Sequence, residues 1–219
     1  MFVTCWSVKG GAGTTVVAAA LATSLARHHA ASGGALLVDL AGDVPAVLGL
    51  PDPRDPGLTG WTRASAEVAG DALARLELSV GSHLALLPRG TGAPGPAARH
   101  SVLAGLLAAD ARPVVVDAGV VGHDSPHLPL VAEASRSLLV TRACYLGLRR
   151  ALDAPVRPSG VVLVAEPGRS LGLDDVEHVV GAPVVAQVPV DPAVARAVDA
   201  GILVRRLPRT LHRSLRRAA

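Results

Sequence analysis

The sequence predicts an α/β fold: a single-domain, mainly parallel β-sheet of about seven strands with helices on both faces. Four observations lead there. Short apolar runs alternate along the chain with helix-length segments, and no hairpin turn signal joins neighbouring runs. These runs are apolar throughout, as strands buried on both faces must be, whereas a strand with one wet face would alternate. Only 2% of the residues are aromatic although 50% are hydrophobic, so the core is built from Ala, Val and Leu. Such small side chains suit thin layers packed closely together. Finally, Lys9–Thr15, Asp39 and Asp117 all fall at the carboxyl ends of apolar runs, the edge where such sheets bind ligands.

Phe2–Val8 is the first strand; it breaks into Gly10, Gly11 and Gly13 and resumes as the alanine-rich helix Val16–His28. Ala35–Leu40 (ALLVDL) is a buried strand ending in an acid. Gly42–Asp55, with Pro45, Pro51 and Pro53, is a loop with one helical turn at Ala46–Leu48. Leu58–Ala74 reads as a weak helix containing Trp61, and Leu84–Leu87 as the third strand, closed by Pro88. Gly90–Pro96 is a loop before a helix over Ala97–Ala109. Pro113–Asp117 (PVVVD) repeats the strand-then-acid pattern. A helix near Leu128–Ala134, a strand at Ser137–Thr141 and a helix at Cys144–Asp153 follow. Gly160–Ala165 is another strand, Leu173–Val180 a helix and Pro183–Val188 the last clear strand. Two short helices, Pro192–Ala200 and roughly Arg209–Arg217, end the chain.

A strand, a glycine turn and a helix in succession expose a row of free backbone N–H groups at a helix N-terminus. Those donors and the positive end of the macrodipole both favour an anion, so the turn reads as a phosphate site. Lys9-Gly10-Gly11-Ala12-Gly13-Thr14-Thr15 resembles the deviant Walker A box, K-G-G-x-G-K-[ST], of the MinD/ParA family of ATPases. Within that family the chain is similar to the CpaE/TadZ branch, which positions pili and secretion machinery. The resemblance implies a P-loop NTPase fold of SIMIBI type, ATP or ADP with Mg²⁺ as cofactor, a homodimer, and a protein partner in a positioning or secretion system. It implies that Lys9 is the signature lysine, reaching the partner's phosphates across a nucleotide-sandwich dimer. By the same resemblance Gly10, Gly11, Ala12, Gly13, Thr14 and Val16 border the nucleotide and Thr15 is a Mg²⁺ ligand.

An apolar strand ending in an acid is a rigid mount for a carboxylate near Mg²⁺. Asp117 in VVVDAG resembles the family's Walker B signature D-x-[PG], which would make it a second metal-side group. On the residues alone, a solvated acid at a strand end fits as well. Asp39 in LLVDLAGD resembles the first acid of the family's D-x-D, and the resemblance makes it, with Lys9, a catalytic residue. Pro189 and Asp191 in QVPVDPAVARAVDAG match an I-P-x-D run that contacts the adenine in the family; a turn at a strand end explains them equally.

Three departures set this chain apart. Thr14 stands where the family has the lysine that contacts the β- and γ-phosphates. Ala41 stands at the second acid of D-x-D, which places the attacking water, with Asp43 two residues on as the available substitute. Ala165-Glu166 stands where an asparagine recognises the base. Phosphoryl transfer relies almost wholly on positioning and charge stabilisation, and losing one such group typically costs on the order of a hundred- to a thousandfold. The expectation is a pseudo-ATPase, a positioning or regulatory protein with little or no hydrolysis and weak nucleotide binding. The alternative is a slow but genuine ATPase.

The 219 residues divide as a domain over 1–205 and a basic tail over 206–219. The net charge of +3 is modest, and scarce aromatics argue against stacking on single-stranded nucleic acid. Cys5 and Cys144 make no disulfide framework; Cys5 reads as a small buried residue. No basic leader and no apolar run of about 18 residues is visible, so the expected location is cytoplasmic. His123 and His127 flank Pro126, which breaks the helix that a metal-gripping pair would need. From Arg205 to Ala219 there are six arginines, with Leu207, Leu211 and Leu215 spaced by four. Such a helix either docks its leucines on the domain, lies on a membrane surface, or binds nucleic acid; docking is the preferred reading and nucleic acid the least favoured.

Overall fold

The computed structural model describes residues 1–64, 71–216 and 218. Eight strands form one sheet in it: β1 (Phe2–Ser7), β2 (Ala35–Asp39), β3 (Leu78–Ser79), β4 (Leu84–Leu87), β5 (Val114–Val120), β6 (Arg136–Arg142), β7 (Gly160–Ala165) and β8 (Val184–Pro189). Their order is β3-β4-β2-β5-β1-β6-β7-β8, and every pairing is parallel except β3 with β4. The helices are α1 (Thr14–His28), α2 (Val44–Leu48), α3 (Gly57–Arg63), α4 (Ala97–Ala108), α5 (Leu128–Ala132), α6 (Tyr145–Ala151), α7 (Leu173–Val180), α8 (Pro192–Asp199) and α9 (Arg209–Leu215).

The apolar runs end up where two-sided burial requires. Every residue of β1 and β2 is buried, and alternate side chains feed two cores. Val3 and Cys5 face α1, whereas Phe2 and Trp6 face α3, α4 and α5. Helix α1 lies in the first core with Ala18, Ala19, Ala20 and Ala22 wholly buried. Alanine lets the helix sit close to the sheet at little entropic cost. Trp6 brings a polar handle into the second core, and its indole N–H donates to Ser137 Oγ at 3.0 Å.

Three leucines in and just before α9 complete the first core. Leu207, Leu211 and Leu215 are all buried there, against β8 and α1. Arg27 donates to the Val204 carbonyl at 2.7 Å, and Thr210 donates to Asp191 Oδ2 at 2.7 Å. The described arginines of α9 and its flanks lie outside that stripe. Among the described residues no helix is long and apolar enough to cross a membrane.

Three readings of the sequence need correction. First, Leu78–Ser79 pairs antiparallel with β4, so one hairpin does exist at the sheet edge. Both residues are exposed and too few to leave an apolar run. Second, the helix expected over Leu58–Ala74 ends at Arg63, because Ala64 turns to an extended backbone with ψ 158°. Residues 65–70 of that stretch lie outside the described residues, and Ala74–Leu76 is a single 3₁₀ turn. Third, β5 runs three residues past Asp117, with a register shift against β1 between Cys5 and Ser7.

One backbone crossing positions part of the cleft described below. Gly57 and Gly90, at φ 52° and 73°, lie back to back; a Cβ on Gly90 would sit 2.2 Å from the Pro56 backbone, and one on Gly57 would sit 2.6 Å from the Pro88 carbonyl. The crossing is closed by Leu58 N–H to Pro88 O at 3.0 Å and Thr59 N–H to Arg89 O at 2.9 Å. Gly90→Ala is expected to lower stability by on the order of 2–4 kcal/mol, since it combines strain at positive φ with a backbone clash. Urea unfolding of the variant beside the wild type measures it; a change under about 0.5 kcal/mol would mean that the crossing yields freely.

Candidate functional site

The turn between β1 and α1 is held open by glycine. Gly11 and Gly13 adopt φ 76° and 94°, and Gly13 caps α1 in the left-handed region. Cβ atoms placed on Gly10 and Gly11 would meet nothing within 4 Å. The loop therefore rims free space, and no acid sits in the first turn of α1 to oppose an anion. A cleft of about 490 Å³ opens over it, bordered by Gly10–Val16, Leu40, Ala41, Asp43, Arg89, Gly119 and His127. It lies at the carboxyl ends of β1, β2, β4 and β5, where the sheet order places a ligand.

Beneath the cleft sit two acids. Asp39 and Asp117 are direct register partners on β2 and β5, and both are wholly buried. Each carboxylate uses one oxygen locally: Gly42 N–H donates to Asp39 Oδ1 at 2.7 Å and Gly119 N–H to Asp117 Oδ1 at 3.1 Å. No hydrogen bond reaches either Oδ2, although both atoms are buried. Burial pushes Asp39 up to about 6, the charge of Asp43 adds to this, and the Gly42 amide and Arg89 oppose it. Burial pushes Asp117 up to about 7; the Thr15 hydroxyl opposes the shift and Asp39 reinforces it. Two buried neighbouring carboxylates with a free oxygen each form an unfinished site.

A hard divalent cation fits that arrangement. Oxygen donors are what Mg²⁺ takes, and Asp39, Asp117 and the Thr15 hydroxyl at the start of α1 supply them. Among the described residues no group of three or more His, Cys, Asp or Glu side chains could hold a metal. Phosphate oxygens and water would therefore have to complete the shell, as is usual for Mg²⁺.

The sequence-derived residues divide. Gly10, Gly11, Ala12, Gly13, Thr14, Thr15 and Val16 border the cleft, and Asp39 and Asp117 support it. Lys9 lies on the far side of the loop, beside Val140, Thr141, Arg142 and Cys144, and its ammonium donates to the Gly10 carbonyl at 3.1 Å. Pro189 and Asp191 do not border the cleft. Asp191 caps α8 by accepting from Ala193 N–H at 2.7 Å, and its second oxygen holds Thr210, so both are committed. Glu166 is likewise engaged: it accepts from Arg142 and from Arg169 Nε at 2.6 Å. His123 turns towards Asp153 and His127 towards His100, 4.9 Å between ring centroids, so the two histidines part company. Cys5 is buried beside Asp117 in register, and burial raises its thiol far above the usual range.

Two cleft residues were not legible as such. Arg89 follows β4 and donates to the Ala41 carbonyl at 3.1 Å. His127 lines the same wall, with a buried Nδ1 that no hydrogen bond reaches, and burial pushes it down to about 4, helped by His100 and Arg89. The one available signal was position, since Arg89 stands just beyond a strand's carboxyl end.

Comparison with known proteins agrees with this geometry. Residues 1–111 match the family model for the cellulose biosynthesis protein BcsQ. No curated protein matches the sequence. Among solved structures, a ParA-family ATPase from Chlorobium tepidum TLS superposes with a TM-score of 0.78 at 20% identity, covering 98% of this chain and 95% of that one. The MinC:MinD cell division protein complex of Aquifex aeolicus gives 0.73 at 16%, covering 100% and 95%. The septum site-determining protein MinD of Pyrococcus horikoshii OT3, complexed with Mg-ADP, gives 0.70 at 18%, covering 97% and 91%. The fold is that of the MinD/ParA ATPases.

Proposed function

The chain belongs to the family of the cellulose biosynthesis protein BcsQ, and from that premise we propose that it is a nucleotide-binding positioning or regulatory protein that hydrolyses ATP little or not at all. The observation that carries the reading is the cleft: an open glycine turn at a helix N-terminus, set above two buried acids that each keep an unpaired oxygen. A nucleotide's phosphates suit the turn, and Mg²⁺ suits Asp39, Asp117 and Thr15. When bound, the metal supplies charge neutralisation between the phosphates and the acids. The chain's own groups do the rest: loop N–H groups grip the phosphates, and Asp39 and Asp117 anchor the metal side.

Hydrolysis is where the chain falls short. Thr14 places a hydroxyl, and Ala41 a methyl, on the cleft where a point charge and a carboxylate would act. Asp43 borders the cleft too and is the candidate for a slow, genuine turnover. A homodimer that closes over nucleotide is consistent with Lys9, which sits outside its own cleft on a loop it would leave to reach a second copy. The partner is a protein of a positioning or secretion system, with cellulose biosynthesis as the setting that the family match suggests. With its leucines docked, α9 offers only its arginine face to a membrane surface.

Calorimetric titration of ATP and ADP with Mg²⁺ tests the reading. Micromolar binding is expected, weakened about tenfold or more in Lys9→Ala if a charge-assisted phosphate contact is lost. Absence of binding at millimolar nucleotide would leave a scaffold that keeps the fold alone.

A further inference from the structure

Thr14 removes a cation from the phosphate end of the cleft, and the structure holds another close by. Among the described residues that border the cleft, Arg89 is the only lysine or arginine, since Lys9 lies on the other side of the loop. Arg89 is also built in. Its chain segment is pinned by the Gly57–Gly90 crossing, and its Nη1 donates to the Ala41 carbonyl. Gly42 leaves it room, because a Cβ there would stand 3.0 Å from that same Nη1. One bond to a carbonyl leaves most of a guanidinium's five donors available.

We propose that Arg89 is the phosphate-contacting cation of this chain, taking from the β4 side the terminal phosphate of a nucleoside triphosphate in place of a lysine at position 14. The inference rests on the nucleotide reading above and adds to it the residue that distinguishes triphosphate from diphosphate. Its chemistry fits: a guanidinium makes paired hydrogen bonds to phosphate oxygens and stays charged at any working pH. Its position fits as well. Arg89 stands on the wall opposite the loop, beside Ala41 and His127, rather than on α1. A cation there meets the outer end of a phosphate chain whose inner end lies on the turn, so a diphosphate gains less from it.

The test is calorimetry of Mg-ATP and Mg-ADP with wild type, Arg89→Ala, Arg89→Lys and Arg149→Ala, an arginine outside the cleft. Loss of the contact is expected to weaken ATP binding about ten- to a hundredfold in Arg89→Ala and ADP binding less than about threefold. Arg89→Lys should recover part of the ATP affinity, and Arg149→Ala should match wild type. Circular dichroism melting of each variant separates a binding loss from a folding loss. If wild type binds both nucleotides and Arg89→Ala binds ATP as tightly, the assignment of Arg89 is wrong while the nucleotide reading stands. Equal weakening of ATP and ADP would also overturn it, because a terminal-phosphate contact must discriminate. If wild type binds neither nucleotide, both the reading and the assignment fall.

Discussion

Thr14→Lys combined with Ala41→Asp is expected to raise ATP turnover by on the order of a hundredfold or more over the wild-type chain. The geometry allows both changes. Thr14 is the first residue of α1 and, although buried, borders the cleft, so a lysine there would have to extend along the cleft wall to reach a phosphate. Ala41 follows β2 and faces Gly119, whose missing Cβ leaves room that any other residue would fill 3.0 Å from the Ala41 methyl. A carboxylate at 41 would stand between Asp39 and Asp43 and beside Arg89, which offsets the added negative charge. The two groups act on different parts of the reaction, lysine on the developing phosphate charge and aspartate on the water. Each single variant should therefore gain less than the pair. Phosphate release at saturating Mg-ATP is the measurement, with nucleotide affinity determined in parallel. Unchanged turnover in a double variant that still binds ATP would show that positions 14 and 41 do not carry those roles. A wild-type rate already close to that of the double variant would favour Asp43 as the working acid.

How much of this was legible follows from how local each feature is. The glycine turn, Asp39 and Asp117 are written in consecutive residues, because a strand, its terminal acid and the turn that follows form one local unit. Leu207, Leu211 and Leu215 were legible as a stripe, but a stripe alone does not say what it covers; the neighbouring Ala-rich α1 decided that. Arg89 was not legible, since its place depends on a backbone crossing between residues far apart in sequence. Asp191 shows the opposite failure. Its motif matched, yet its carboxylate is taken up by an ordinary helix cap and by Thr210. The β3 edge strand was missed because two exposed residues leave no hydrophobic pattern.

The buried acids carry a second large effect, on stability. In the ligand-free chain Asp117 lies at about 7 instead of 3.8, so the folded state binds a proton more tightly than the unfolded state does. Stability is therefore gained as pH falls from about 7 towards 4 and lost as pH rises through 7, the reverse of a salt-bridged carboxylate. At pH 8 the ionised, buried group costs on the order of 2–4 kcal/mol. Asp117→Asn removes that charge and should raise the melting temperature at pH 8 by roughly 5–10 °C for a chain of this size. At pH 5 the gap should narrow, and it should close only near pH 4, where the carboxyl is neutral in the unfolded chain as well. His100 and His127, both held down by burial, pull the pH dependence the other way. They are common to both proteins and cancel in the difference, so the comparison reads Asp117 itself. Mg-ATP should invert the ranking, stabilising wild type, whose acid gains a cation, and leaving the variant nearly unmoved. A variant less stable than wild type by the same margin at all three pH values would mean that Asp117 is held by hydrogen bonds the fold needs, and not by a metal it awaits.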